Sequence, residues 1–494
     1  MENNQGNLRW WVLLTVIIGT FLGRLDQTIV NLALPKIIDD FAITVSQASW
    51  IATAYILANA VFVPIWGKLG DTLGRKKIYI IGFSIFIVGS ILAGLAWDLN
   101  SMIVFRIIQA IAGSADYPTA MAIIAVTFRQ GRERAQALGL WSSSFAAATV
   151  FGPLLGGFLI DNFGWRSIFL VNLPIGLIGI IMAFIFVNES VSDRPTVRFD
   201  WWGAITLGVA LSALVLVLDR GMDWGWTSME AMSCYAVIVM FTYWFYLVDR
   251  SHPEPIVNFK FFDSPIFVGA IINNFVIFMG MMGGVFLIPL FVQIYMGYDA
   301  THTGYLFMPM AFFMMIAAAI GAQLVGRIPG RYVIASSTFF AGIGLYLFTG
   351  LDARSNAWDV LIPISFMAFS MGVGMSQRTT MIAAAVDEHE IGIASSVLAL
   401  ARNISGAFGI AIFATILNNS VESNILSLAS SSVINVKSQL AYQQAAGLII
   451  LKAQILAYHT VFIWAAALLI IGAVLALFFP TGDEKTRGVH VMVE

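Results

Sequence analysis

Five ionisable side chains fall inside otherwise apolar stretches of the sequence: Arg24, Asp26, Arg106, Asp116 and Arg402. The chemistry open to such groups without a cofactor is proton transfer. A carboxyl group taken out of water holds its proton more tightly, so it can bind and release one proton near neutral pH. If it loses that proton to an arriving cation and regains one on the other side, proton flow becomes coupled to movement of the cation. A charge at the bilayer centre costs ~2.5–3.5 kcal/mol on insertion scales, so each is expected to face a bundle interior and to have a partner or a function. The structural alternative for each is a buried ion pair that only holds helices together.

Spacing sorts the five. Asp26 lies 15 residues after Trp11, about 22 Å along a helix. Arg106 lies five residues after Ser101 on a span of opposite direction, about 8 Å from the same outer side. Asp26 and Arg106 therefore share a level and become partners if spans one and four touch. Arg24 and Asp26 are two apart and cannot share a helical face, whereas Arg24, Gln27, Thr28 and Asn31 form one polar stripe. Asp116 sits ten residues beyond Arg106, about 15 Å deeper, beside Pro118, which removes a helical hydrogen bond. Arg402, eleven residues into its span, lies near the midplane.

The elements that must position these groups follow from composition. The chain has 494 residues, 59% apolar and 11% charged, with a mean hydropathy of +0.85. About 25% charged residues is usual for a soluble domain, so soluble, disordered and nucleic-acid-binding classes are excluded and lipid must be the solvent. The net charge of −2 favours neither acidic nor basic partners. Cys234 is the one cysteine, and the histidines at 252, 302, 389, 459 and 490 are scattered, so no metal site is expected. His389-Glu390 lacks the second histidine of a zinc signature, and Lys68 is followed by Leu69 rather than Ser or Thr, so no Walker loop exists. Neither an enzyme nor an ATP-driven pump is expected. No cofactor is needed beyond a proton gradient.

Fourteen apolar stretches reach the ~20 residues that a bilayer core requires. They run over 10–33, 47–66, 78–97, 102–126, 135–160, 167–187, 202–219, 231–249, 265–295, 303–325, 332–350, 358–380, 391–417 and 456–479. Their length and lack of alternation specify helices. The first run is too long for a cleavable signal and is interrupted by Arg24 and Asp26. With the N-terminus inside, inner segments carry 17 Lys/Arg and outer segments 6, so both termini are expected in the cytoplasm. Tryptophans such as Trp10, Trp11, Trp97, Trp201 and Trp202 lie near span ends, as an interfacial belt requires. Polar breaks at 188–200 and 250–264 divide the chain into six, two and six spans. The expected organisation is a six-helix bundle over 1–190, a linker with two extra transmembrane helices over 191–264, and a six-helix bundle over 265–494 with a long outer loop at 418–455, rich in Ser, Asn and Gln and with room for a short surface helix.

Motifs sharpen this plan. The loop after span two reads Gly67-Lys-Leu-Gly-Asp71-Thr-Leu-Gly74-Arg75-Lys76-Lys77. Its glycines permit a tight turn, Asp71 can cap a helix, and its basic run suits the cytoplasmic lipid face. With this loop the chain resembles the major facilitator superfamily. Leu25-Asp26-Gln-Thr28-Ile-Val-Asn31-Leu-Ala-Leu-Pro35 is similar to the first span of its fourteen-helix drug:proton antiporter branch (the EmrB/QacA type). Arg106-Ile-Ile-Gln109-Ala-Ile-Ala-Gly113 resembles the fourth-span arginine motif, and Gly152-Pro153-Leu-Leu-Gly156-Gly157 the fifth-span antiporter motif. Gly392-Ile-Ala-Ser-Ser396 with Arg402 resembles the thirteenth span of that branch.

The resemblance implies an all-α polytopic membrane protein with the major facilitator fold and fourteen spans. It implies export of lipophilic, cationic drugs or dyes in exchange for protons by alternating access, in a bacterial plasma membrane. Asp26 and Arg106 would couple protons. Gly67, Asp71, Gly74 and Arg75 would latch the inner side, and Gly152, Pro153, Gly156 and Gly157 would form a pliable, closely packed helix. Asp116 lies outside these motifs and is the candidate for proton or substrate specificity. Gln27, Asn31, Arg24 and Arg402 are candidate substrate contacts, with Met282 and Phe278 from a Met/Phe-rich wall suited to lipophilic ligands. Two departures matter. Arg327 aligns opposite Asp71 in the second half, and spans nine to fourteen lack a central acid, which argues against dications. Three intramembrane arginines against two aspartates leave open an alternative, a transporter of a lipid or amphiphilic metabolite. The partners expected are a small lipophilic substrate, protons and membrane lipids, with the protein a monomer and no nucleic acid.

Overall fold

The computed structural model describes residues 2–128, 132–190, 200–253, 255–257, 259–324, 327–384, 391–431 and 439–478. The first helices are α1 (Glu2–Phe41), α2 (Val45–Leu73), α3 (Arg75–Gly94), α4 (Leu99–Gly113), α5 (Asp116–Thr127), α6 (Arg132–Phe163), α7 (Ser167–Leu170), α8 (Asn172–Phe186), α9 (Trp201–Trp224) and α10 (Met229–Ser251). They are followed by α11 (Pro265–Ile294), α12 (Ala300–Leu324), α13 (Gly330–Leu347), α14 (Ala357–Ala384), α15 (Ile391–Ser431) and α16 (Gln439–Leu477). Among the described residues there is no strand. Eleven helical stretches there are long and apolar enough to cross a membrane. Their outer faces carry bare apolar side chains, such as Ile181, Ile185 and Val239. Such faces are stable only against lipid. The protein is a multi-pass membrane protein.

Local sequence sets the helix starts. Thr44 and Gln47 form a capping box on α2, and Asp98 and Ser101 another on α4. Asp200 accepts from Gly203 N to start α9, and Ser228 from Ala231 N to start α10. Each satisfies a backbone N–H that the first turn leaves unpaired. Prolines explain two breaks. The stretch expected as one span over 102–126 is interrupted at Ser114–Ala115, because Pro118 offers no N–H to the carbonyl of Ser114. The stretch 167–187 is interrupted at Val171 in the same way by Pro174.

Two compact units emerge. The first comprises Met1–Ile256, Val285–Met308 and Gly406–Thr415, and the second Val257–Gly284, Pro309–Ser405 and Ile416–Glu494. In the first, α1 packs on α6 and α8, α3 on α4 and α8, and α2 on α4, while α9 and α10 pair and α9 leans on α2. In the second, α13 packs on α14 and α16. The stretch expected as an outer loop at 418–455 is mostly helix: α15 continues to Ser431 and α16 begins at Gln439, joined by Asn424 Nδ2 donating to Ala453 O at 3.2 Å. Residues 432–438 there, and 191–199 of the expected linker, lie outside the described residues.

Candidate functional site

The first unit gathers four of the five charges. Spans one and four do touch: Arg106 Nη1 on α4 donates to Asp26 Oδ2 on α1 at 2.5 Å. Both residues are 1% exposed. Gln109 Nε2, one turn along α4, donates to Asp26 Oδ1 at 2.9 Å, and Asn172 Nδ2 at the start of α8 donates to the same oxygen at 3.1 Å. Arg106 Nη1 also donates to Gln109 Oε1 at 2.7 Å, and its guanidinium lies 4.1 Å from the Tyr55 ring centroid. The buried Asp26 carboxylate is thus met by three donors, one of them a cation over an aromatic face, while Arg106 Nε and Asn172 Oδ1 are buried without a hydrogen-bond partner among the described residues. Asn172 is fixed in turn by donating to Ser90 Oγ at 2.7 Å, which donates to Phe169 O at 2.9 Å.

Asp116 has a different setting. It opens α5, so its carboxylate meets the positive end of that helix. Thr20 Oγ1 on α1 donates to Asp116 Oδ2 at 2.7 Å, and Trp141 Nε1 on α6 donates to Thr20 Oγ1 at 2.9 Å. Asp116 Oδ1 is buried and has no hydrogen-bond partner among the described residues. Gly19 makes room for it, since a Cβ there would lie 2.9 Å from Oδ1 and would overlap the Tyr79 hydroxyl. Arg24 Nη1 donates to Gln27 Oε1 at 3.0 Å on the same α1 face. Arg24, Gln27, Tyr55, Asn59, Ser114 and Asp116 line one small cavity of about 30 Å³, large enough for water. A wider groove of about 350 Å³ along α1 and α6 is lined by Trp10, Leu14, Phe21 and Leu140 without a charge and offers no proton chemistry. Asn31 is half-buried and makes no side-chain hydrogen bond among the described residues.

In the second unit, Arg402 Nε on α15 donates to Asn274 Oδ1 on α11 at 3.3 Å, and the guanidinium stands 5.1 Å from the Phe278 ring centroid. Phe278 and Met282 are half-buried, one turn apart on α11.

The two glycine motifs are built from close approach. A Cβ on Gly152 would overlap Thr28 Oγ1, and one on Gly156 would overlap Ile29, so α6 lies hard against the α1 stretch that carries Asp26. Gly157 is equally crowded by the backbone of Ala300 and Thr301. Pro153 is buried within α6. Gly74 has φ +107°, a conformation that favours glycine. Beyond it, Glu189 accepts from Lys76 N at 3.0 Å and Lys77 N at 3.1 Å, while Arg75 N donates to Ser190 O at 3.0 Å. The side chains of Gly67-Lys68 and Asp71 lie outside the described residues.

Sequence reasoning passed over Thr20, Trp141, Asn172, Glu189 and Arg378. Polar residues in apolar runs were the available signal for Thr20 and Asn172. The 17 basic residues assigned to inner segments include Arg378, yet it is 1% exposed inside α14. The intramembrane charges are therefore at least six.

The sequence matches the Major Facilitator Superfamily over residues 16–410. It is 32% identical over 424 residues to the multidrug transporter protein MdtP of Bacillus subtilis, covering 84% of this chain and 77% of that protein. It is 32% identical over 408 residues to the multidrug resistance protein Stp of Mycobacterium tuberculosis, covering 82% and 76%. Among solved structures, a bacterial homologue of the human lysosomal transporter Spinster aligns with a TM-score of 0.65 at 17% identity, covering 95% of this chain and 96% of the other. At that identity the likeness is one of fold. The helical architecture and the span of the family match lead to one conclusion: the chain belongs to the major facilitator superfamily.

Proposed function

We propose that the protein is a drug exporter of the fourteen-helix antiporter branch, driven by the proton gradient across a bacterial plasma membrane. The helices α2, α6 and α9 have 29, 32 and 24 residues, each enough for the ~20 that a span needs. Taken as spans beside the eleven apolar stretches, they support a count of fourteen. Relatives named for multidrug transport support the substrate class.

The observation that carries the proton reading is the pair of unlike carboxylates in the first unit. Asp26 is neutralised by Arg106, whereas Asp116 keeps an unpartnered oxygen beside a polar cavity. Protonation of Asp26 removes the charge that holds Arg106, which frees α1 and α4 to shift. Asp116 then offers its oxygen to the cationic group of a substrate and gives up its proton on binding. Gly152, Gly156, Gly67 and Asp71 serve the conformational exchange between inward and outward access. The test is transport in proteoliposomes with an imposed pH gradient, using a lipophilic cationic dye. Dye movement that follows the gradient and stops with a protonophore supports the reading. Dye movement indifferent to the gradient overturns it.

A further inference from the structure

Three uncharged side chains around Asp116 have hydrogen-bond roles that fix one another, and the proton reading does not use them. An indole N–H can only donate. Trp141 Nε1 on α6 donates to Thr20 Oγ1 on α1 at 2.9 Å. A threonine hydroxyl carries one hydrogen, and that of Thr20 goes to Asp116 Oδ2 on α5 at 2.7 Å. Indole, hydroxyl and carboxylate thus form a chain with one direction. Thr20 and Trp141 are both buried, so bulk water replaces neither.

The other oxygen of the same carboxyl group is treated in the opposite way. Oδ1 is buried and has no hydrogen-bond partner among the described residues. A Cβ on Gly19 would lie 2.9 Å from it and would overlap the Tyr79 hydroxyl, so the two oxygens flank one point of α1. The Tyr79 hydroxyl gives its hydrogen to Thr15 O at 3.1 Å, so toward Asp116 it offers only lone pairs. Oδ2 therefore faces a donor, and Oδ1 stands near an acceptor. A proton placed on Oδ2 would turn the Thr20 hydrogen away and lose a hydrogen bond. A proton placed on Oδ1 keeps the chain intact and removes charge from a buried atom that has no donor. The ionisable groups around this carboxyl are Arg24 on α1, Tyr55 on α2, Tyr79 on α3 and Tyr117 on α5, while α6 contributes the neutral Trp141. None of them bonds Oδ1.

We propose that Thr20, oriented by Trp141, is a positioning residue that reserves Oδ1 as the proton-carrying oxygen of Asp116. In the protonated acid, Oδ2 is the carbonyl oxygen and keeps its bond from Thr20, while the hydrogen sits on Oδ1. This deepens the proton reading and rests on it for a place in a transport cycle. It also ties the proton to the packing of α1 on α6, because the donor that fixes Thr20 belongs to α6.

The test is infrared difference spectroscopy of the full chain in nanodiscs between about pH 9 and about pH 5, a range that brackets proton exchange by a buried carboxyl group. The carboxylic-acid C=O band of Asp116 is identified by its loss in Asp116→Asn. A C=O that accepts a hydrogen bond absorbs at lower wavenumber than a free one. Thr20→Val, which drops the hydroxyl, is expected to move the band to higher wavenumber, and Thr20→Ser to return it. Trp141→Phe, which keeps a ring and drops the N–H, is expected to broaden the band, because the Thr20 hydroxyl is then free to turn. If the proton sat on Oδ2, the unbonded Oδ1 would already be the carbonyl and Thr20→Val would not raise the band. An unmoved band in Thr20→Val, a Thr20→Ser spectrum like that of Thr20→Val, or a wild type with no Asp116 band in this range overturns the proposal. An unchanged band in Trp141→Phe overturns the part given to Trp141. Dye export is measured beside it in proteoliposomes with an imposed pH gradient. Export indifferent to the gradient, with the band moving as expected, would overturn the transport reading alone. Export that follows the gradient, with the band unmoved, would overturn the positioning role alone.

Discussion

The Asp26–Arg106 pair allows a quantitative test of coupling between α1 and α4. Asp26 accepts from Arg106, Gln109 and Asn172, all in a site sealed from solvent. Removing one member of a buried pair costs about 3–5 kcal/mol, because the other charge is left without compensation. Asp26→Asn strands the guanidinium over Tyr55. Arg106→Gln leaves a carboxylate with the two neutral amide donors of Gln109 and Asn172. The double variant buries no charge at this point, so its cost should fall short of the sum of the single costs by about 2–3 kcal/mol. At about 2 °C per kcal/mol, near the low end for large domains, each single change lowers Tm by roughly 6–10 °C. Thermal unfolding of the purified protein in nanodiscs, followed by tryptophan fluorescence, measures all four corners of the cycle. If the double variant loses the sum of the single losses to within about 0.5 kcal/mol, the two side chains do not act as a pair, and the coupling reading built on them falls.

Other sites make smaller, separable predictions. Asp116→Asn should slow gradient-driven export of a cationic dye by about tenfold or more, the loss of one charge-assisted contact of ~1.5–3 kcal/mol; unchanged export and pH dependence would remove Asp116 from the site. Gly152→Ala forces a methyl group onto Thr28, so it should destabilise by ~1–3 kcal/mol and slow transport more than dye binding, measured side by side. Glu189→Gln removes the charge at the start of α3, worth ~0.3–1 kcal/mol, and should speed hydrogen exchange at the amides of Lys76 and Lys77. The Ser101 hydroxyl and backbone N–H hold the Asp98 carboxyl below its ordinary value. Its contribution is therefore full above the unfolded value of about 3.9 and is lost as pH falls through the folded one. Melting curves of Asp98→Asn should lack that acid-side decline.

How legible the site was depended on where each residue sat relative to an apolar run. Asp26, Arg106 and Asp116 stood out because a charge in the middle of a hydrophobic stretch has no bland solvent-facing explanation. Depth counting at 1.5 Å per residue put Asp26 and Arg106 on one level, and the structure places them in contact. The breaks in the fourth and sixth spans were harder, because hydropathy is blind to a missing N–H; only Pro118 and Pro174 carried that information. The sequence leaves room for a short surface helix in 418–455, but that α15 and α16 themselves run on through 418–431 and 439–455 was hidden for a related reason. Ser, Asn and Gln lower hydropathy there without forbidding a helix, so composition suggested a loop where the backbone continues.

Arg378 carries the sharper lesson. Read linearly, it lies two residues before the expected end of its span at 380, where arginines ordinarily reach the lipid head groups. In the structure α14 runs on to Ala384, which puts Arg378 further from the helix end. Asn273 and Thr338, from two other helices, then hold its head group inward. No property of residues 370–384 alone distinguishes the two outcomes; the deciding groups lie more than a hundred residues upstream and forty upstream, respectively. The two units hold a buried arginine in different ways. In the first unit a buried arginine is matched with a carboxylate, as Arg106 is with Asp26. In the second, Arg378 is matched only with an amide and a hydroxyl. What decides the environment of Arg378 is which helix faces α14 meets, not which residues α14 carries.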